Sequence, residues 1–284
     1  MTRPFLIVNP RSGSDSPSAD DLRAAAAERG VDVHLLGEDD DLPALARAAD
    51  ADVLGMAGGD GSLAAVADVA IERGLPFVCI PFGTRNHFAR DAGLDRDDPL
   101  AALDAFVDRR ERRVDVGRVG DRLFLNNVSL GLYATLVHRR EHHRRRRDAL
   151  ARLRALALTL KDRGHSNRFT VDGRAVEANV VLVANNPYTF ELLSLGERES
   201  LDEGRLHLYV PHGLRRVRWE ERHCTALTVD APGHVVPAAV DGEPDELATP
   251  LEFRVEPGAL RLLLPPGTQA RPTAHDDAIL RGVP

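Results

Sequence analysis

The fold turns on residues 52–74: Asp52-Val-Leu-Gly-Met-Ala57, then Gly58-Gly59-Asp60-Gly61-Ser62, then Leu63 through Arg73 and Gly74. The first six read as a buried strand. Ser62–Arg73 is helical in pattern, and Gly74 is suited to end it. Between them, three glycines in four positions make a tight turn from strand into helix. Working toward the N-terminus, Leu42–Ala49 reads as a helix, Val31–Leu36 as a strand, and Asp20–Arg29 as an alanine-rich helix stopped by Gly30. Phe5–Val8 is a short apolar run ending in Asn9-Pro10. Toward the C-terminus, Phe77–Ile80 is a further buried strand. This βαβαβαβ alternation with short loops predicts a parallel sheet with helices on both faces.

The pattern changes after about residue 110. Arg113–Val119 and Arg122–Asn127 look like paired strands around Gly120-Asp121, and Tyr133–Arg163 is one long helical stretch. Then come short β-rich runs: Arg168–Val171, Ala178–Ala184, Arg205–Val210, Ala226–Val229, Val235–Val240, Leu251–Val255 and Ala259–Leu264. Their alternation and turn spacing predict an antiparallel sandwich or barrel-like domain. The expected division is an α/β domain over 1–112 and a β-rich domain over 113–267. Return of the tail 268–284 to the first domain is left open.

Composition narrows the function classes. With 43% hydrophobic and 29% charged residues in 284, the chain has a globular balance. A formal net charge of −7 gives no global attraction to nucleic acid or anionic membrane, so any such attraction must be local. Cys79 and Cys224 are far apart in sequence, and no Cys/His zinc spacing exists. The N-terminus enters a strand-like run without a leader pattern, and no stretch approaches 18 consecutive apolar residues. A cytoplasmic protein is the default expectation.

Gly58-Gly59-Asp60-Gly61-Ser62 suits phosphate. Glycines admit close approach of backbone, and the following helix N-terminus offers N–H groups and a positive dipole end. An ordinary tight turn would also explain glycines, but an Asp at its centre is repulsive to phosphate unless it serves a metal or orients a hydroxyl. The loop is not a Gx4GK[ST] P-loop: the single lysine of the chain, Lys161, is a hundred residues away. Phosphate charge must then be met by backbone N–H groups, Mg²⁺ and arginine. Two further loops leave the same end of the predicted sheet. They are Asn9-Pro10-Arg11-Ser12-Gly13-Ser14 and Pro81-Phe82-Gly83-Thr84-Arg85-Asn86-His87-Phe88-Ala89-Arg90. Loops at the carboxyl ends of parallel strands converge on one crevice.

Asn-Pro-x-Ser-Gly, Gly-Gly-Asp-Gly-Ser and Pro-x-Gly-Thr-x-Asn-x-Phe-Ala-Arg, in this order, resemble the diacylglycerol-kinase catalytic superfamily, which includes bacterial lipid kinases and sphingosine kinases. Asp241-Gly242-Glu243 matches its C-terminal Asp-Gly-Glu, although alone it would read as a hairpin turn. The resemblance implies an NAD-kinase/phosphofructokinase-like α/β domain with a β-rich domain, an ATP-dependent transfer to a lipid hydroxyl, and Mg²⁺. The implied nucleotide-binding positions are Asn9, Pro10, Arg11, Ser12, Gly13, Gly58, Gly59, Asp60, Gly61, Ser62, Gly83, Thr84 and Asn86. Glu243 matches the proton acceptor, with Asp241 and Asp60 in the metal-water network. Ser200-Leu201-Asp202-Glu203-Gly204 resembles a structural magnesium loop, with Ser200, Asp202 and Glu203 as candidate ligands. Glu203 stands where Asp is usual, His87 where Asp is usual, Ser62 where Thr is commoner, and Leu36-Gly37 lacks a frequent Thr.

His138 to Arg147, in the predicted helix 138–163, is strongly basic. It reads either as a peripheral membrane contact or as a solvated face paired to acidic surface; without interleaved aromatics it does not suit nucleic acid. Apolar positions in Tyr188–Leu195 either line an acyl site or fill the core. An NAD kinase-like enzyme and a non-catalytic nucleotide- or lipid-binding regulator are the alternatives, and a homodimer is left open.

Overall fold

A computed structural model of the chain describes residues 3–13, 16–131, 167–178, 180–191, 194–198, 200–212 and 218–268. The predicted helix Tyr133–Arg163, with its basic run, and the tail beyond Thr268 lie outside the described residues. In chain order the elements are β1 (Pro4–Val8), α1 (Ala19–Glu28), β2 (Asp32–Leu35), α2 (Leu42–Ala48), β3 (Val53–Gly58), α3 (Asp60–Glu72), β4 (Phe77–Pro81) and α4 (His87–Asp91). A 3-10 turn (Ala101–Phe106) precedes β5 (Arg110–Val119), β6 (Arg122–Phe124) and β7 (Asn127–Gly131). Then follow β8 (Asn167–Val171), β9 (Arg174–Ala178), β10 (Val180–Asn185), β11 (Tyr188–Glu191), β12 (Ser194–Arg198) and β13 (Leu206–His212). The last are β14 (Arg218–Cys224), β15 (Ala226–Asp230), β16 (Val235–Val240), β17 (Glu243–Ala248) and β18 (Leu251–Leu264).

The chain forms two compact units. The first holds Met1–Val116, Asn186–Gly204 and Glu256–Pro284; the second holds Gly117–Asn185 and Arg205–Val255. The chain therefore returns to the first unit twice, where a linear reading of the pattern shows one boundary.

In the first unit β2-β1-β3-β4 are parallel neighbours, and the end of β18 continues the order with Leu262 beside Phe77. Every residue of β3 and of β4 is buried. That is why both read as continuous apolar runs: helices cover both faces of a parallel sheet. Burying each Leu or Phe there contributes ~1.5–3 kcal/mol. Cys79 lies in this layer at 1% exposure, and burial pushes its thiol well above the ordinary range.

The helix ends follow local chemistry. Ser18 caps α1, accepting from Asp21 N–H at 3.1 Å, while its own N–H donates to Asp21 at 2.8 Å. Asp41 caps α2 by accepting from Ala44 N–H at 3.0 Å. Gly74, at φ +67, closes α3 as Leu75 N–H reaches back to Ala70 at 2.8 Å.

The second unit is a sandwich. One layer is an antiparallel six-stranded sheet in the order β14-β13-β10-β7-β16-β17. Strands β9, β8 and β15, with Leu251–Arg254 of β18, make the other. Between them Val128, Leu130, Val181, Val183, Leu208 and Val240 pack with Phe124, Phe169, Val171, Leu227 and Phe253 in one buried cluster. Phe124 and Phe253 meet edge to face at 6.3 Å, a geometry that adds ~0.5–1.5 kcal/mol beyond burial.

Candidate functional site

The helix α3 begins at Asp60, two residues earlier than its apolar pattern indicates, so Asp60, Gly61 and Ser62 form its first turn. Its N-cap is Gly59 in extended conformation, and no side chain caps it. A 13-residue helix thus presents its first N–H groups and its dipole to whatever approaches the glycine turn.

The loops after β1 and β4 close on this turn. Asn9 N–H donates to Ala57 O at 2.9 Å. The Asn9 side chain accepts from Arg11 N–H at 3.1 Å, folding the loop back on itself. A Cβ on Gly13 would stand 2.1 Å from the Phe82 ring, and one on Gly83 would stand 2.6 Å from Gly59 Cα. The glycines at 13 and 83 are therefore there for close approach. Asn86, left-handed at φ 47, accepts from Gly83 N–H at 2.8 Å and donates its amide to Gly83 O at 2.7 Å.

Asp60 ties the third loop to the glycine turn. Its carboxylate accepts from His87 N–H at 3.1 Å and from Phe88 N–H at 3.0 Å, and the residue is 7% exposed. The carboxylate thereby serves the orphan N–H groups at the start of α4. The three predicted loops, from Asn9, Gly58 and Gly83, are one packed body. Pro10, Arg11, Thr84 and Arg85 are exposed on it, and Ser12, Gly13, Gly59, Gly61 and Ser62 are half-buried. His87 is held below its ordinary value, first by burial; the Asp60 carboxylate opposes this without reversing it.

Asp241 and Glu243 belong to the second unit. Asp241 sits in the turn between β16 and β17 and Glu243 follows it, where Val240 pairs with Glu243 and both Asp241 (φ 50) and Gly242 (φ 84) are left-handed. This is the hairpin that Asp-Gly favours. Asp241 does more than turn the chain. Its carboxylate accepts from the N–H groups of Leu125, Asn126 and Asn127 at 2.8, 2.7 and 3.1 Å, and its own N–H donates to Asn127 O at 2.9 Å. Asn185 adds to this knot by donating to Leu125 O at 3.1 Å. Glu243 is exposed.

Ser200, Asp202 and Glu203 fall in the first unit, in a loop with partners of its own. The Ser200 hydroxyl donates to one Asp202 oxygen, and Arg112 approaches the other at 3.4 Å. Glu203 N–H donates to the Asn186 side chain at 2.9 Å. Gly204 N–H and Gly258 N–H donate to Asp115 at 2.6 and 2.8 Å. Burial pushes the Asp115 carboxyl up, with the Asp202 charge adding to it against those N–H bonds. Among the described residues no three His, Cys, Asp or Glu groups are arranged to hold a metal ion. Arg112, Asp115 and Asn186 escape a reading of the sequence because they come from distant segments; the Asp of Arg113-Val-Asp115 carries no local sign of its partners.

The first unit is a parallel α/β domain whose first, third and fourth strands end in packed loops at the uncapped N-terminus of α3, where free N–H groups and the helix dipole favour negative charge. Residues 3–119 match the model of the diacylglycerol kinase catalytic domain family. A diacylglycerol kinase of Mycobacterium tuberculosis (strain H37Rv) is 35% identical over 122 residues, 40% of each chain. A Pseudomonas aeruginosa (strain PAO1) protein named "Probable lipid kinase YegS-like" is 35% identical over 133 residues, 45% of this chain and 43% of that one. These matches span about two-fifths of the length of the curated relatives. The fold matches a crystal structure of a diacylglycerol kinase from Bacillus anthracis with a TM-score of 0.65 at 17% identity, over 94% of this chain and 98% of that one.

Proposed function

We propose that the chain is an ATP-dependent lipid kinase that phosphorylates a hydroxyl of diacylglycerol or a related lipid. The observation that carries this reading is the convergence of the Asn9, Gly58 and Gly83 loops on the uncapped start of α3. Phosphoryl transfer needs positioning and charge neutralisation more than covalent help. Backbone N–H groups of the glycine turn and the α3 dipole suit the phosphates, and exposed Arg11 and Arg85 supply positive charge near them.

Mg²⁺ characteristically binds through one or two carboxylates together with substrate phosphates and waters. Asp60 is the carboxylate of the glycine turn that would hold it or its waters, and the ion would neutralise phosphate charge. Glu243, exposed beside its turn, is the residue assigned to accept the proton of the lipid hydroxyl. Asp241 is assigned as its positioning residue, because its carboxylate fixes the 125–127 backbone against the turn that presents Glu243. The basic stretch 138–163 is assigned to contact with an anionic membrane surface.

Purified protein incubated with labelled ATP, Mg²⁺ and a total lipid extract should yield one labelled lipid class, and Glu243→Gln should abolish the label. Equal labelling by both proteins would remove Glu243 from the mechanism, and no labelled lipid would remove the kinase reading.

A further inference from the structure

We propose that Arg112 supplies the positive charge at the acidic 200–204 loop, so that this loop is held by an internal guanidinium and needs no divalent cation. The Arg112 side chain is 9% exposed, and its Nη2 approaches Asp202 at 3.4 Å. Its Nε and Nη1 are buried and make no hydrogen bond to any described group. A guanidinium desolvated to this degree is tolerated only in a negative field. Asp202 is the acid that Arg112 meets, and its charge in turn acts on the neighbouring Asp115.

The carboxylates are committed in a way that leaves a metal poorly served. Asp115 spends its two oxygens on Gly204 N–H and Gly258 N–H. Asp202 takes the Ser200 hydroxyl on one oxygen and faces Arg112 with the other. A divalent ion on Asp202 would stand against a fixed positive charge that cannot be deprotonated. The loop backbone is pinned independently, by Leu201 O accepting from Asp115 N–H at 2.8 Å and by Asn186 accepting from Glu203 N–H. Sequence similarity suggests a magnesium loop here; the geometry points to an ion pair in the same role. The inference concerns loop stability and stands apart from the lipid kinase reading.

The test uses the full chain without nucleotide or lipid. Wild-type protein is passed through EDTA, its metal content is measured by mass spectrometry, and its thermal unfolding is recorded in EDTA and in Mg²⁺. The expected result is no stoichiometric metal and the same Tm in both solutions. About one tightly held metal per chain, or a Tm that falls in EDTA and returns with Mg²⁺, would overturn the proposal. Arg112→Met should lower Tm by roughly 5–10 °C, because it leaves the half-buried Asp202 without its guanidinium. An unchanged Tm in that variant would also overturn it. Should Arg112→Met fail to fold, Arg112→Met/Asp202→Asn supplies the second reading: partial recovery of folding is expected, and none would count against the pair.

Discussion

Arg198 and Asp91 form an ion pair with neither side chain exposed: Nε lies 2.7 Å from Oδ2, although 107 positions separate them in sequence. Asp91 ends α4, the helix that Asn86 caps, and Arg198 ends β12. The guanidinium also lies over two rings, Phe88 at 6.0 Å and Tyr188 at 5.8 Å. Tyr188 thus belongs to a core contact of the first unit. Removing one partner strands a buried charge, so Arg198→Met or Asp91→Asn should each destabilise the protein by about 3–5 kcal/mol. Denaturant unfolding checks this, and Arg198→Met/Asp91→Leu should recover much of the loss. Additive losses in the double variant would contradict the pairing.

Two glycines that look alike in sequence should behave differently when changed to alanine. At Gly83 the new methyl would press 2.6 Å from the Gly59 backbone, which no rotamer relieves. At Gly59 it would meet no atom within 4 Å, and the φ of −82 suits any residue. Gly83→Ala should therefore lower both stability and ATP turnover, the latter by roughly 10²-fold through displaced loops. Gly59→Ala should keep its unfolding midpoint while ATP turnover falls, because the methyl occupies the approach to the α3 N–H groups. Calorimetry and a coupled ADP assay on the same samples separate the two; full turnover in Gly59→Ala would refute phosphate contact at that turn.

Asp241 and Glu243 should likewise divide. Asp241→Asn turns an amide toward three main-chain N–H donors, and leaving even one unsatisfied costs about 1–3 kcal/mol. Its unfolding midpoint should drop along with its activity. Glu243→Gln, at an exposed position, should unfold like wild type while losing roughly 10²–10⁴-fold in turnover. A stable, inactive Asp241→Asn would place that carboxylate in the chemistry itself.

Stability should fall on mild acidification through His87. Burial holds its folded-state pKa below the ordinary 6.5. Between the two values the unfolded chain binds more protons, so stability rises with pH across that window and is complete above 6.5. Urea midpoints measured from pH 7.5 down to 5 should decline below about 6.5, and His87→Gln should flatten that part of the profile. An identical decline in both proteins would assign it to other groups.

The α/β half was legible because its signals are local. Apolar runs bounded by Asn9-Pro10, Gly30, Gly58 and Gly74 map onto β1, α1, β3 and α3 within two residues. The sandwich core strands, such as Val235–Val240, were legible for the same reason. Strands β14 and β17 gave no such signal. They close the two ends of the six-stranded sheet, and Glu243-Pro-Asp-Glu-Leu-Ala248 is mostly polar, as an edge permits. Pro257-Gly258 reads as a break between two strands, yet β18 runs through it from Leu251 to Leu264. The return of 186–204 to the first unit, and with it the partners of Asp91, Arg112 and Asp115, depends on contacts across about a hundred residues that no local pattern carries.

Those same two marginal strands have a colloidal consequence. Among the described residues, Glu243, Asp245 and Glu246 lie on one end strand of the six-stranded sheet, and Glu220, Glu221 and Arg222 on the other. A second molecule docking its own β17 there would set acid against acid, which disfavours pairing. The repulsion is a short-range charge effect, so salt high enough to screen those carboxylates is the condition under which it weakens.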